Sequence, residues 1–188
     1  MKSDTFERFY ERCQNKDFLK SNNQATIVPF YIIPYKPTEK QEVANNINMV
    51  TKRLQEVNIN ILRLDLFNLC IEILKDQDML EDVLELEQDE SPEYFLDAFD
   101  SAINNEVVSD YIQTKIQDND PDVVFIQGID KAYPFRRLHP LINILHAKTE
   151  KKPIVFFYPG IYNGIAFKLF GLEEESFKSN NYEVRNLE

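Results

Sequence analysis

The stretch of sequence that decides the fold is NDPDVVFI, residues 119–126. Its first half, residues 119–122, is typical of a turn, because Asn and Asp side chains hydrogen-bond to the nearby backbone and Pro fixes its own φ angle. Its second half, residues 123–126, is entirely apolar and consists of β-branched and aromatic side chains. Such a run is typical of a strand that is buried on both faces. The sequence therefore predicts an interior strand that begins directly after a turn.

Similar apolar runs recur on both sides of this strand. Three further strands are predicted at 26–33, 59–66 and 154–158, the first ended by Pro34 and the last by Pro159 and Gly160. Helical spacing of apolar residues predicts helices at 4–20, 38–57, 68–86, 92–117 and 138–148, and a short helix towards Phe170. Because strands alternate with helices, we expect an α/β fold with a mostly parallel sheet flanked by helices. One domain over residues 1–188 is predicted.

The charge is concentrated in the middle of the chain. The net charge is −11, and residues 81–122 alone hold 14 acidic residues and one lysine. This segment fits a solvated helix face, and it equally fits a docking surface for a basic partner. Because an anionic surface repels phosphates, direct nucleic-acid binding is disfavoured.

The composition predicts a cytoplasmic protein. No run approaches about 18 apolar residues, so no membrane contact is expected. The first seven residues mix charges and lack the apolar core of a secretion signal. The two cysteines, Cys13 and Cys70, lie far apart in helix-like stretches, where a small buried thiol is the ordinary explanation.

A nucleotide-binding site is the first kind of site to look for in a chain with an α/β pattern. A phosphate loop needs glycines, so that successive backbone N–H groups can approach an anion at a helix N-terminus. The segment after the first strand is PYKPTEK, residues 34–40, which has no glycine and two prolines. The sequence therefore predicts no phosphate loop. Nucleotide binding or phosphoesterase activity with an atypical loop remains the alternative, and Asp130 could then serve as a metal-binding acid.

Other catalytic chemistry is sparse in the sequence. The histidines, His139 and His146, have no carboxylate or thiol at metal-ligand spacing. Neither cysteine is next to a base, and no GxSxG motif occurs. We therefore expect no enzymatic activity, no metal and no cofactor.

Two segments contain more aromatic, Arg and Pro residues than a loop needs in order to connect a strand to the next element. Residues 127–145 and 156–164 follow neighbouring predicted strands, and such loops carry the sites of open α/β sheets. Their aromatic, Arg and Pro content is typical of binding hot spots. The candidate partner-binding residues are Tyr133, Pro134, Arg136, Arg137, His139, Asn143, Tyr158 and Tyr162. Two alternatives are that these residues only turn the chain, or that Arg136 and Arg137 read a nucleic acid.

These segments resemble the signature of the BrxB family, a small component of bacterial BREX phage-defence systems. Its first element is an apolar strand, then a glycine, then an aromatic-Pro-x-x-Arg-x-His stretch, and finally a helix that contains an Asn. This sequence matches the strand at 124–126 and the remaining positions at Gly128, Tyr133, Pro134, Arg137, His139 and Asn143. A second element is matched at 157–160, Tyr162, Gly164 and 169–171, and two strand-like elements are matched at 29–35 and 64–67. The resemblance covers most of the chain but is weak over 85–118.

The resemblance implies a role in BREX defence, in which the host chromosome is methylated and unmodified phage DNA is blocked. Family members act without known enzymatic activity. They associate with the alkaline-phosphatase-like protein PglZ, and the large ATPase BrxC is a further candidate partner. The family's fold is related to P-loop ATPase domains that lack the phosphate loop. From this resemblance we expect a non-catalytic interaction subunit.

Overall fold

The computed structural model describes residues 3–19, 30–148, 152–164, 166–172 and 184–187. A six-stranded sheet forms its centre, with the strand order β2-β3-β4-β1-β6 and with β5 paired to β4. The strands are β1 Phe30–Tyr35, β2 Ile61–Asp65, β3 Val123–Gln127, β4 Ile154–Tyr162, β5 Phe167–Leu169 and β6 Val184–Asn186. All pairings are parallel except that of β5 with β4. The prediction of an α/β fold with a mostly parallel sheet is confirmed.

Nine α-helices and one short 3-10 helix, Pro37–Glu39, occur in the described parts of the chain. The α-helices are α1 Ser3–Cys13, α2 Lys16–Leu19, α3 Lys40–Glu56, α4 Leu66–Asp76, α5 Leu80–Asp89, α6 Pro92–Ala102, α7 Asn105–Asn119, α8 Ile129–Ala132 and α9 Leu138–Lys148. None of these helices has the length and apolar character needed to cross a membrane.

The helices bury both faces of the sheet. On one face, Phe6 and Phe9 of α1 pack against the sheet, with the Phe9 and Phe125 ring centroids 5.3 Å apart. The opposite face is covered by α4, α7 and α9. Because successive strand side chains point to opposite faces, Phe156 and Phe157 enter different cores. This two-sided burial explains the apolar strands in the sequence.

Three predicted helices are each divided in the structure. The predicted helix 4–20 is interrupted after α1, and α2 begins at Lys16. The predicted helix 68–86 is interrupted after α4, where Asp78 has a φ of 56°. The predicted helix 92–117 is interrupted after α6, where the Asn104 side chain caps α7 by accepting from the backbone N–H of Glu106 and Val107. A left-handed residue and a capping amide each end helical hydrogen bonding, and apolar periodicity does not show them. The predicted cap Ser91 and first-turn Pro92 are confirmed.

The prediction was wrong at the ends of two strands. Pro34 lies within β1, and Pro159 with Gly160 lies within β4, which continues to Tyr162. The pairing of β3 with β4 ends at Ile126 and Phe156, before Pro159. Because Pro159 lies beyond this pairing, its missing N–H removes no hydrogen bond between β3 and β4.

The chain after β4 forms a hairpin with β5, and not the predicted short helix towards Phe170. Gly160 makes this return possible, because a Cβ there would lie 2.2 Å from the backbone oxygen of Lys168. The strand β6, which pairs with β1, was not predicted. The N-terminal part of the predicted first strand, residues 26–29, lies outside the described residues.

Candidate interaction site at the carboxyl edge of the sheet

Two ion pairs lie at the carboxyl edge of the central strands. Lys40, at the start of α3, bonds to Asp130 of α8. Lys131, next along α8, has its Nζ 2.8 Å from Oδ2 of Asp65 at the end of β2. Asp130 and Asp65 have 11% and 14% of their side chains exposed, so both carboxylates are largely enclosed. The pairs therefore tie together the loops that follow β1, β2 and β3.

Gly128 and Asp65 determine how closely the β2 and β3 loops approach. Gly128 has a φ of +74°, and a Cβ there would lie 2.4 Å from Oδ1 of Asp65. The same oxygen accepts from the backbone N–H of Asn68, 3.1 Å away, and so caps α4. Asp65 therefore caps a helix with one oxygen and pairs with Lys131 through the other. Only glycine accommodates this approach in this conformation.

A small cavity of about 110 Å³ lies beside these ion pairs and is bordered by Tyr35. Burial, with a smaller contribution from the Asp130 carboxylate, raises the pKa of Tyr35 well above its usual range. The phenol is therefore neutral at physiological pH. The cavity's lysines, Lys40 and Lys131, are both paired with its aspartates. The site thus carries balanced charge and a neutral hydroxyl, a poor match for a polyphosphate.

Both cysteines and one of the two histidines lie in the interior. Cys13 and Cys70 are buried, and burial raises the pKa of Cys70 to about 11 and that of Cys13 further. Both thiols are therefore protonated at neutral pH. His139 is buried and packs its ring against Phe167. Across the residues that the structure describes, no three His, Cys, Asp or Glu side chains come together as a metal site.

The structure brings the two candidate segments together, since β3 and β4 are adjacent strands. The candidate residues differ in how much of each side chain is exposed to solvent. Pro134 and Arg137 are exposed and Tyr133 and Asn143 are partly exposed, whereas the buried members are Arg136, His139, Tyr158 and Tyr162. A partner-binding role for these eight residues stays a prediction. The four accessible ones can touch a partner directly, and the buried ones can only shape the surface above them.

Arg136 is the least expected member of the interior. Its side chain is 1% exposed, and its Nη1 donates to Asp100 Oδ1 at 2.5 Å and to the Phe135 carbonyl at 2.6 Å. The guanidinium also lies 5.5 Å from the centre of the Phe99 ring. Its Nε and Nη2 have no hydrogen-bond partner in the part of the chain that the structure describes. The Arg136 and Arg137 pair therefore presents only Arg137 to solvent.

Sequence reasoning missed the apolar residues that surround the accessible candidates. Phe170 and Leu172, just after β5, are 42% and 60% exposed, and Ile161 of β4 is 57% exposed. The ring of Phe170 meets that of Tyr133 edge-on, with centroids 6.3 Å apart. The contact of Tyr133 with Phe170 is called here the hairpin surface, together with the exposed residues near it along the chain and on β4, namely Pro134, Leu172 and Ile161. The sequence did not indicate this surface, because a helix was predicted where the β4–β5 hairpin lies.

Comparison with known proteins places the chain in a family. The sequence model described as "BREX protein BrxB" matches residues 62–185. A Bacillus cereus (strain H3081.97) protein with that name is 29% identical over 96% of this chain and 93% of its own length. The protein of the same name from Escherichia coli O9:H4 (strain HS) is 26% identical over 80% of this chain and 75% of its own. No solved structure matches. The chain belongs to the BrxB family of BREX proteins.

Proposed function

We propose that this chain is a non-catalytic assembly subunit of a BREX phage-defence complex and that it binds a PglZ-like protein. The observation that carries the proposal is the carboxyl edge of the sheet. The ion pairs of Lys40 with Asp130 and of Lys131 with Asp65 occupy the place where an open α/β sheet usually holds a ligand. Apolar and aromatic side chains are exposed beside them on the hairpin surface.

The hairpin surface has the composition of a binding site. It combines the partly exposed Tyr133 with the exposed Phe170 and Leu172, and Arg137 is exposed nearby in sequence. Tyr and Arg are enriched at hot spots because each combines a large contact area with hydrogen-bonding groups. The strand pairing of β4 and β5 holds the apolar residues on a rigid scaffold. A preorganised surface of this kind lowers the entropic cost of binding.

The decisive experiment is purification of the tagged chain together with the other proteins of its native operon. We expect the PglZ-like protein to remain bound through affinity and size-exclusion steps, and a BrxC-like ATPase is a further candidate. Both purified proteins should then form the complex when mixed. If the PglZ-like protein neither co-purifies nor binds on mixing, the proposal is wrong.

Replacement of Tyr133 or Arg137 with alanine should weaken this complex. Each change removes an accessible hot-spot side chain, so we expect a loss of about 1–3 kcal/mol of binding free energy. Isothermal titration with the PglZ-like protein measures the loss, and thermal unfolding of each variant reports on folding. A matched control is Met49→Ala, which removes an exposed apolar side chain on α3. A lower melting temperature with unchanged affinity would mean that the two residues only turn the chain.

Nucleotide binding is the second candidate function, because the Tyr35 cavity lies at the carboxyl edge. The paired charges predict that ATP or GTP with Mg²⁺ leaves the unfolding temperature unchanged. A bound ligand at 100 times its dissociation constant would add about 2.7 kcal/mol to stability, which a thermal-shift measurement detects readily. A shift of that size, lost in Lys40→Ala, would favour the nucleotide function.

A further inference from the structure

An apolar groove lies between the acidic helices and the loop that follows α8. Its cavity has a volume of about 260 Å³. The groove, called here the α5–α6 groove, is lined by Glu87, Glu90, Pro92, Phe95, Leu96, Pro134 and Phe135. Five of its seven lining residues are therefore apolar. Leu96 and Phe95 are partly exposed, and Pro92 and Pro134 are exposed.

The floor of the groove is held in place by an aromatic cluster. Phe95 meets Phe135 edge-on, with ring centroids 5.7 Å apart and an interplanar angle of 89°. Phe135 in turn packs on the buried Phe99 with ring centroids 4.5 Å apart. The Arg136–Asp100 ion pair joins the same loop to α6. Because both walls are fixed by these contacts, the groove is formed before anything enters it, as ligand pockets usually are.

The charged residues that line the groove have one sign. Glu87 and Glu90 border it and are exposed, and no lysine or arginine is among its lining residues in the described chain. The surrounding segment 81–122 has 14 acidic residues against the single Lys115, whose Nζ is bonded to Glu72. A second copy of this chain would bring the same acidic rim against itself, at an electrostatic cost. A basic occupant is complementary.

We infer that the α5–α6 groove binds an apolar side chain of the BREX partner that is flanked by lysine or arginine. This inference rests on the proposed function and adds the chemistry of the contact. The apolar anchor would fill the space over Phe95, Leu96 and Phe135. The flanking cations would lie beside Glu87 and Glu90, where they steer association and set the register.

The test uses the PglZ-like protein as the probe and measures association rates at several salt concentrations. In the double variant Glu87→Lys/Glu90→Lys we expect the association rate at low salt to fall about tenfold or more, with a weaker salt dependence. The control Glu81→Lys/Glu85→Lys makes the same charge change on α5 outside the groove and should have an effect of about twofold. In the Leu96→Lys variant we expect faster dissociation of the complex, because the added cation would occupy the space of the partner's apolar side chain. Thermal unfolding checks that each variant folds.

The outcomes separate this inference from the proposed function. If the wild-type chain binds the partner and the two double variants slow association equally, overall charge steers binding and the groove does not. Unchanged dissociation in Leu96→Lys would likewise overturn the inference while leaving the proposed function standing. Absence of binding by the wild-type chain would overturn both. If size-exclusion chromatography shows a dimer that Leu96→Lys dissociates, the occupant is a second copy and the inference is wrong.

Discussion

Replacement of Asp100, whose side chain is 64% exposed, with alanine is expected to lower the free energy of unfolding by about 1–3 kcal/mol. Arg136 is 1% exposed and pairs with Asp100, so the change leaves a buried cation without its counter-charge. Among the described residues, two other donors of the guanidinium, Nε and Nη2, already lack partners, and the Phe135 carbonyl is the one acceptor that would remain. An uncompensated buried charge costs far more than an exposed ion pair contributes. Urea unfolding followed by circular dichroism measures the change.

Two controls isolate this effect. Asp97→Ala removes the same charge from α6 at an exposed residue, so its stability should stay within about 0.5 kcal/mol of wild type. Adding Arg136→Met to Asp100→Ala removes the buried cation and should recover a large part of the loss, as a double-mutant cycle would show. The explanation fails if Asp100→Ala is as stable as Asp97→Ala.

Replacement of Gly128 with alanine is expected to lower the free energy of unfolding by about 2–4 kcal/mol. The φ of +74° alone costs a residue with a Cβ about 1 kcal/mol or more. In addition, the methyl group would lie 2.4 Å from Oδ1 of Asp65 and would displace it. That displacement removes the α4 cap and disturbs the Lys131 pair, which costs about another 1–2 kcal/mol.

Gly164 offers a matched comparison for the Gly128 variant. Its φ is +90°, but no atom of the described residues lies within 4 Å of the position a Cβ would take. Gly164→Ala should therefore show only the conformational cost, about 1–2 kcal/mol. The difference between the two variants reports the contact with Asp65. Equal destabilisation by both changes would show that Asp65 moves without cost, contrary to the role assigned to it.

The sequence predicted which two segments carry the candidate residues, but it could not predict which of those residues reach solvent. The signature residues indicated the segments after β3 and β4, and the structure shows these strands side by side. Sequence alone gave no reason to expect Arg136 in the interior and Arg137 in solvent. Two adjacent arginines look equivalent in a sequence, and only the nearby Asp100 and Phe99 make burial of one of them tolerable. The α5–α6 groove was missed because it joins residues from two separate parts of the chain, 87–96 and 134–135.

The sequence by itself determined the class of the fold and the four main strands. Their apolar, β-branched runs can be buried only between two helical layers, and this local requirement is readable residue by residue. The tertiary structure decided where helices divide, why Pro159 and Gly160 continue β4 into a hairpin, and which site residues reach solvent. The hairpin and the exposure of the site residues depend on contacts between residues that are not neighbours in sequence, such as Lys168 against Gly160 and Asp100 beside Arg136. Periodicity describes a residue's immediate neighbours along the chain, whereas burial and close approach are properties of the packed molecule.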